Sequence, residues 1–114
     1  MSLAFDLVIR PGARYEYQFT WSEGGVPVDM STGWEARAQV RDANNNLIFD
    51  MSDSNGQLVL GTGSVTVLLP AAATSGKDYS RAFWDLLVKN ADGEIQPPLV
   101  EGRSWTESLV TQWT

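Results

Sequence analysis

Between Tyr15 and Trp21 every odd residue is aromatic and every even one is polar: Tyr15, Tyr17, Phe19 and Trp21 alternate with Glu16, Gln18 and Thr20. No other feature narrows the possible folds as much. A helix would throw successive rings to opposite sides, at steps of about 200°, whereas a pleated strand sets all four on one face. Leu3 to Arg10 repeats the pattern with Leu3, Phe5, Leu7 and Ile9, and Pro11-Gly12 forms a corner between the two stretches. Trp34 to Arg41 repeats it again, with Trp34, Ala36, Ala38 and Val40 inward and Glu35, Arg37, Gln39 and Arg41 outward.

Turn residues punctuate the rest. Ser22 to Gly25, Asp42 to Asn46, Asp53 to Gly56, Gly61 to Gly63 and Asn90 to Gly93 all carry Gly, Asn or Asp. Between them lie strand-length segments at Leu47 to Met51, Gln57 to Leu60, Ser64 to Leu69 and Arg81 to Lys89. About seven or eight short strands at this spacing predict an all-β chain, an antiparallel sandwich or barrel. Only residues 71–75, directly after Pro70, lean towards a helical turn. In the tail, Trp105, Leu109 and Trp113 fit a helix and a last strand equally well.

Composition bounds the chemistry. The 114 residues suit one domain spanning 1–114, with a single modest core. With no Cys and no His, the chain has no disulfide, no zinc site of the usual kind and no Ser-His or Cys-His nucleophile. Eight Lys and Arg against fourteen Asp and Glu give a net charge of −6, the wrong sign for a protein that neutralises nucleic-acid phosphates. The first ten residues lack the basic start and long apolar run of a secretory leader. The longest apolar stretch, Val67 to Ala73 counting Pro70, falls far short of the roughly 20 residues of a membrane span.

Three groupings invite a functional reading. The four-aromatic stripe has the flat surfaces that stack on sugars, but clean alternation fits a core face better. Asp42, Asn44, Asn46 and Asp53 echo a calcium loop, yet Leu47 stands where its sharp-turn glycine belongs, and the final ligand would be a short Asp. A hairpin turn accounts for them. Glu16, Glu35, Asp85, Glu94, Glu101 and Glu107 show no spacing that sets two carboxylates across a cleft. The residues therefore predict no enzyme, no metal and no cofactor. One strand breaks the rule of alternation: Ala82, Trp84, Leu86 and Val88 are apolar, and so are Phe83 and Leu87 on the other face. A strand apolar on both sides is either covered twice or meets a partner. Phe83 and Leu87, extended by Trp113, are the candidate protein-interaction residues.

Five short motifs follow one another along the chain. Residues 27–34, Pro-Val-Asp-Met-Ser-Thr-Gly-Trp, resemble a P-V-D-L-T-G-W/Y turn into a strand. Residues 36–42 with Asn45-Asn46-Leu47 resemble an A-R-M-Q-I-R-D…G-N-L hairpin. Residues 63–70 resemble G-x-I-T-L-x-I-P, followed by Ala71 to Thr74 for A-x-x-T. Trp84-Asp85-Leu86 and Leu99-Val100-Glu101-Gly102 resemble Y/W-D-L and L-L-E-G. In this order the motifs resemble a family of small immunoglobulin-like proteins of tailed bacteriophages and prophages, similar to the N-terminal domain of baseplate upper proteins. Two turns depart from the family pattern: Pro11-Gly12-Ala13 replaces G-D-T, and Asn45 replaces a turn glycine.

The resemblance implies an immunoglobulin-like sandwich and a non-catalytic structural protein of the tail or baseplate. Such a protein is assembled in the bacterial host cytoplasm and resides in the virion. It implies other virion proteins as partners, with a homo-oligomer as a further option, and neither nucleic acid nor membrane. The competing reading is a carbohydrate-binding or adhesin module, which calls for tryptophans exposed in a shallow row.

Overall fold

The alternating stretches at Tyr15–Trp21 and Trp34–Arg41 each form a strand, and Leu3–Arg10 forms two, in the structure, a computed structural model that describes residues 3–109. In chain order the strands are β1 (Leu3–Ala4), β2 (Leu7–Ile9), β3 (Tyr15–Thr20), β4 (Ser22–Glu23), β5 (Val26–Pro27), β6 (Glu35–Asp42), β7 (Leu47–Ser52), β8 (Leu58–Gly61) and β9 (Ser64–Leu69). A single helical turn, α1 (Ala71–Thr74), precedes β10 (Ala82–Lys89) and β11 (Val100–Thr106). There are thus eleven strands among the described residues, more than the seven or eight expected. Three of them, β1, β4 and β5, are only two residues long. The ribbon β4–β5 turns through Gly24 and Gly25, whose φ values of +58° and +81° suit the tight hairpin turn that needs two left-handed residues.

Two sheets result. One has six strands in the order β1-β11-β10-β6-β7, with β2 also on β11; the other has three, β3-β9-β8. The expectation of a wholly antiparallel fold is corrected at one edge, where β1 and β2 both run parallel to β11. Alternation specifies which side chains face inward, but it carries no information about strand direction. The chain enters alongside its own last strand, and only the closed fold sets that pairing.

The expected Leu3–Ile9 stripe is also split. Leu7 and Ile9 are fully buried, whereas Leu3 is 52% exposed. Between β1 and β2 the chain presses against β11 at Gly102. A Cβ there would collide with the Phe5 carbonyl, so only glycine fits. The Asp6 carboxylate accepts a hydrogen bond from the Arg103 amide at 3.1 Å, and the Trp84 indole donates to the Phe5 carbonyl at 2.8 Å.

The two sheets share one core. Ala82, Trp84, Leu86 and Val88 of β10, Ala36, Ala38 and Val40 of β6, and Val65, Val67 and Leu69 of β9 all point into it. Phe5, Phe19 and Trp84 join the sheets through edge-on and tilted ring contacts of 5.2–6.4 Å. Burying side chains of this size contributes roughly 1.5–3 kcal/mol each. The four-aromatic stripe is accordingly a core face: Phe19 is buried, and Tyr15, Tyr17 and Trp21 pack half-buried against the cluster. α1 owes its position to Thr74, fully buried, whose hydroxyl donates to the Ala13 carbonyl at 2.7 Å and accepts from the Gly12 amide at 3.0 Å. That clip fixes the Pro11-Gly12 corner against the three-stranded sheet.

Candidate docking face

The outer face of the six-stranded sheet is built from the residues that alternation turns away from the core. On β10 these are Phe83, Asp85, Leu87 and Lys89. Phe83 is 53% exposed and Leu87 is half-buried, so both suggested interaction residues do share the outward side. Trp113 lies outside the described residues.

Strand register supplies their neighbours. Phe83 stands between Arg103 of β11 and Arg41 of β6. Asp85 stands between Glu101 and Gln39, and Leu87 is opposite Arg37. Phe83 and Leu87 are therefore two apolar side chains separated by Asp85 and flanked by arginines. A sequence shows which residues of one strand face outward; only cross-strand pairing shows what lies beside them.

The ionic groups divide into satisfied and unsatisfied sets. Arg37 makes a two-pronged contact with Asp50, at 3.1 and 2.9 Å, which holds the Asp50 carboxyl below its usual range. Lys89 pairs with Glu35 at 3.0 Å. Arg41 donates to the Gln39 side chain at 3.2 and 2.9 Å and to the Asn45 carbonyl at 3.1 Å. Asp85 is different. Partial burial raises its pKa, and the Glu101 carboxylate directly across the ladder raises it further. Sequence reasoning missed this carboxylate pair, because Asp85 and Glu101 become neighbours only through the β10–β11 register. Two open depressions, of about 830 and 530 Å³, mark the face; Phe83 and Arg103 line the larger, Ile95 and Lys89 the smaller, and Leu87 both.

The remaining suspects resolve into turns. The Asp42 carboxylate accepts from the Asn44 and Asn46 amides, both at 2.9 Å, and these contacts lower its pKa, the Asn46 backbone bond most. Asp53 instead accepts from the Ala36 amide at 3.0 Å. Asp42 ends β6 and Ala36 lies near its start, so the two carboxylates are roughly 20 Å apart along the strand and do not converge on one ion. Among the tryptophans, Trp84 is buried, and Trp21, Trp34 and Trp105 are half-buried. Trp21 and Trp34 meet edge to face at 6.1 Å, and the Trp105 indole donates to Glu107 at 3.0 Å.

Compared with known proteins, the chain matches no protein-family model and no curated sequence.

Proposed function

We propose that this protein is a non-catalytic structural component of a bacteriophage or prophage tail or baseplate, which works by docking its six-stranded sheet onto virion proteins, copies of itself included. The reading is carried by the five short motifs, in family order, described above. The strand order is consistent with it. β3-β9-β8 and β11-β10-β6-β7 have the arrangement of strands B-E-D and G-F-C-C′ in an immunoglobulin-like sandwich. The parallel pairing of β1 and β2 with β11 adds an edge to that plan. Exposed Phe83 amid arginines supplies the kind of anchor that protein interfaces favour. Glycan stacking is the weaker reading, since no tryptophan among the described residues stands exposed in a row.

Two measurements test the proposal. Antibody labelling of purified particles should place the protein on tails, and particles lacking it altogether overturn the reading. Phe83→Ser with Leu87→Ser should preserve the β-type circular dichroism spectrum while reducing incorporation into particles at least about tenfold, because outward positions on a strand contribute little to folding. Incorporation at the parental level would move the docking surface elsewhere.

A further inference from the structure

We infer that the outer face of the six-stranded sheet pairs with the same face of a second copy turned end for end, the Phe83 end of each receiving the Asp92–Ile95 loop of the other. This rests on the docking reading above and names what covers the face.

The starting observation is how the cations are placed. Of the eight Lys and Arg residues, Arg10, Arg14, Arg37 and Lys89 pair with carboxylates. Lys77 lies over the Phe49 ring, 5.0 Å from its centre. The other three, Arg41, Arg81 and Arg103, meet no carboxylate within ion-pair distance among the described residues, and all three flank Phe83. Arg41 and Arg103 are its ladder partners, and Arg81 lines a depression with Phe83 and Arg103. An acidic chain has thus gathered its free cations around one exposed aromatic ring.

The complement lies at the other end of the same strand. The loop after β10 exposes Asp92 and Glu94, neither paired with a cation among the described residues, beside Ile95, which is 69% exposed. Ile95 bridges to Lys89 and lines one depression with Leu87, so it belongs to this face. Phe83 and Lys89 are roughly 20 Å apart along β10, too far for the two ends to meet within one chain. A two-fold axis crossing β10 near Leu87 brings both ends together twice and closes the assembly, as isologous dimers do. The face measures about 24 by 26 Å from strand spacing and rise. With side-chain relief, that approaches the roughly 800 Å² per partner of a standard interface.

Sedimentation across the micromolar to millimolar range should show a monomer–dimer equilibrium for the full chain. Arg81→Glu with Arg103→Glu, and separately Asp92→Lys with Glu94→Lys, should each weaken it at least about tenfold, and an equimolar mixture should restore a one-to-one dimer. Should either charge variant fail to fold, Ser80→Cys with Ala91→Cys in the otherwise cysteine-free chain should be bridged between copies by a short bis-maleimide. A strictly monomeric parent, a mixture no better than its parts, absent bridging, or oligomers that grow beyond dimers would each overturn the pairing. A monomeric parent whose Phe83→Ser/Leu87→Ser variant still loses virion incorporation sinks the self-pairing alone. Incorporation indifferent to that variant sinks the docking reading instead.

Discussion

Asn45 shows how much backbone chemistry one residue carries. It is the only non-glycine with positive φ, +65°, among the described residues, and it occupies the turn position where the resembling family places glycine. Asn tolerates the left-handed region, whereas a β-branched side chain there costs roughly 1–2 kcal/mol. Asn45→Gly should therefore leave the unfolding free energy from urea titration almost unchanged, and Asn45→Val should lower it by that amount. Asp85 illustrates the opposite case, a residue whose cost comes from its surroundings, burial first and the Glu101 carboxylate second. Its raised pKa means that the folded chain holds a proton where the unfolded chain, near 3.8, has released it. Stability consequently falls as pH rises through that window and stays lower above it. Asp85→Asn should melt above the parent at pH 7, with the gap closing as pH drops below the ordinary Asp value. A gap independent of pH would contradict the raised Asp85 pKa, set by burial first and the Glu101 carboxylate second, as its source. Asp42 and Asp50 run the other way, since their lowered values stabilise the fold above the ordinary range and lose that benefit in acid.

At the scale of elements, the short turn α1 matters through one side chain. Thr74 is fully buried and its hydroxyl serves the Gly12 amide and the Ala13 and Ala71 carbonyls. Thr74→Val keeps the shape and strands those groups, which should cost about 1–3 kcal/mol in chemical denaturation. The turn itself was legible, because Pro70 opens it and three alanines follow. Its role was not, because Gly12 is sixty-two positions away in the chain. The strands divide in the same way. β6, β9 and β10 follow the alternation almost residue for residue. β4 was hidden inside the Ser22–Gly25 turn signal and β5 directly after it, since two-residue strands present no period to detect. Of the ambiguous tail, Trp105 belongs to β11, held extended by its ladders with β10 and β2; Leu109 lies past the strand's end and Trp113 outside the described residues.

For the whole molecule, the parallel edge is the most consequential feature. β2 brings Leu7 and Ile9, both fully buried, onto the last strand. Each such side chain contributes roughly 1.5–3 kcal/mol, against a typical domain stability of about 5–15 kcal/mol. Removing residues 1–9 should therefore leave the chain largely unfolded at 25 °C, as read by near-ultraviolet circular dichroism. A cooperative urea transition in the truncated chain would show that β11 tolerates a bare edge.

The sequence by itself determined the all-β class, the inward and outward sides of β3 and β6, the helical turn and the placing of Phe83 and Leu87 on the face of β10 opposite Trp84. All of these are local, set by a two-residue period or by the backbone preferences of Pro, Gly and Asn. Only the tertiary structure decided the parallel entry of β1 and β2, the crowding that requires Gly102, the Asp85–Glu101 pair and the arginines around Phe83. Each depends on register between strands distant in the chain, and register follows from how the whole hydrophobic set closes into one core rather than from any single segment.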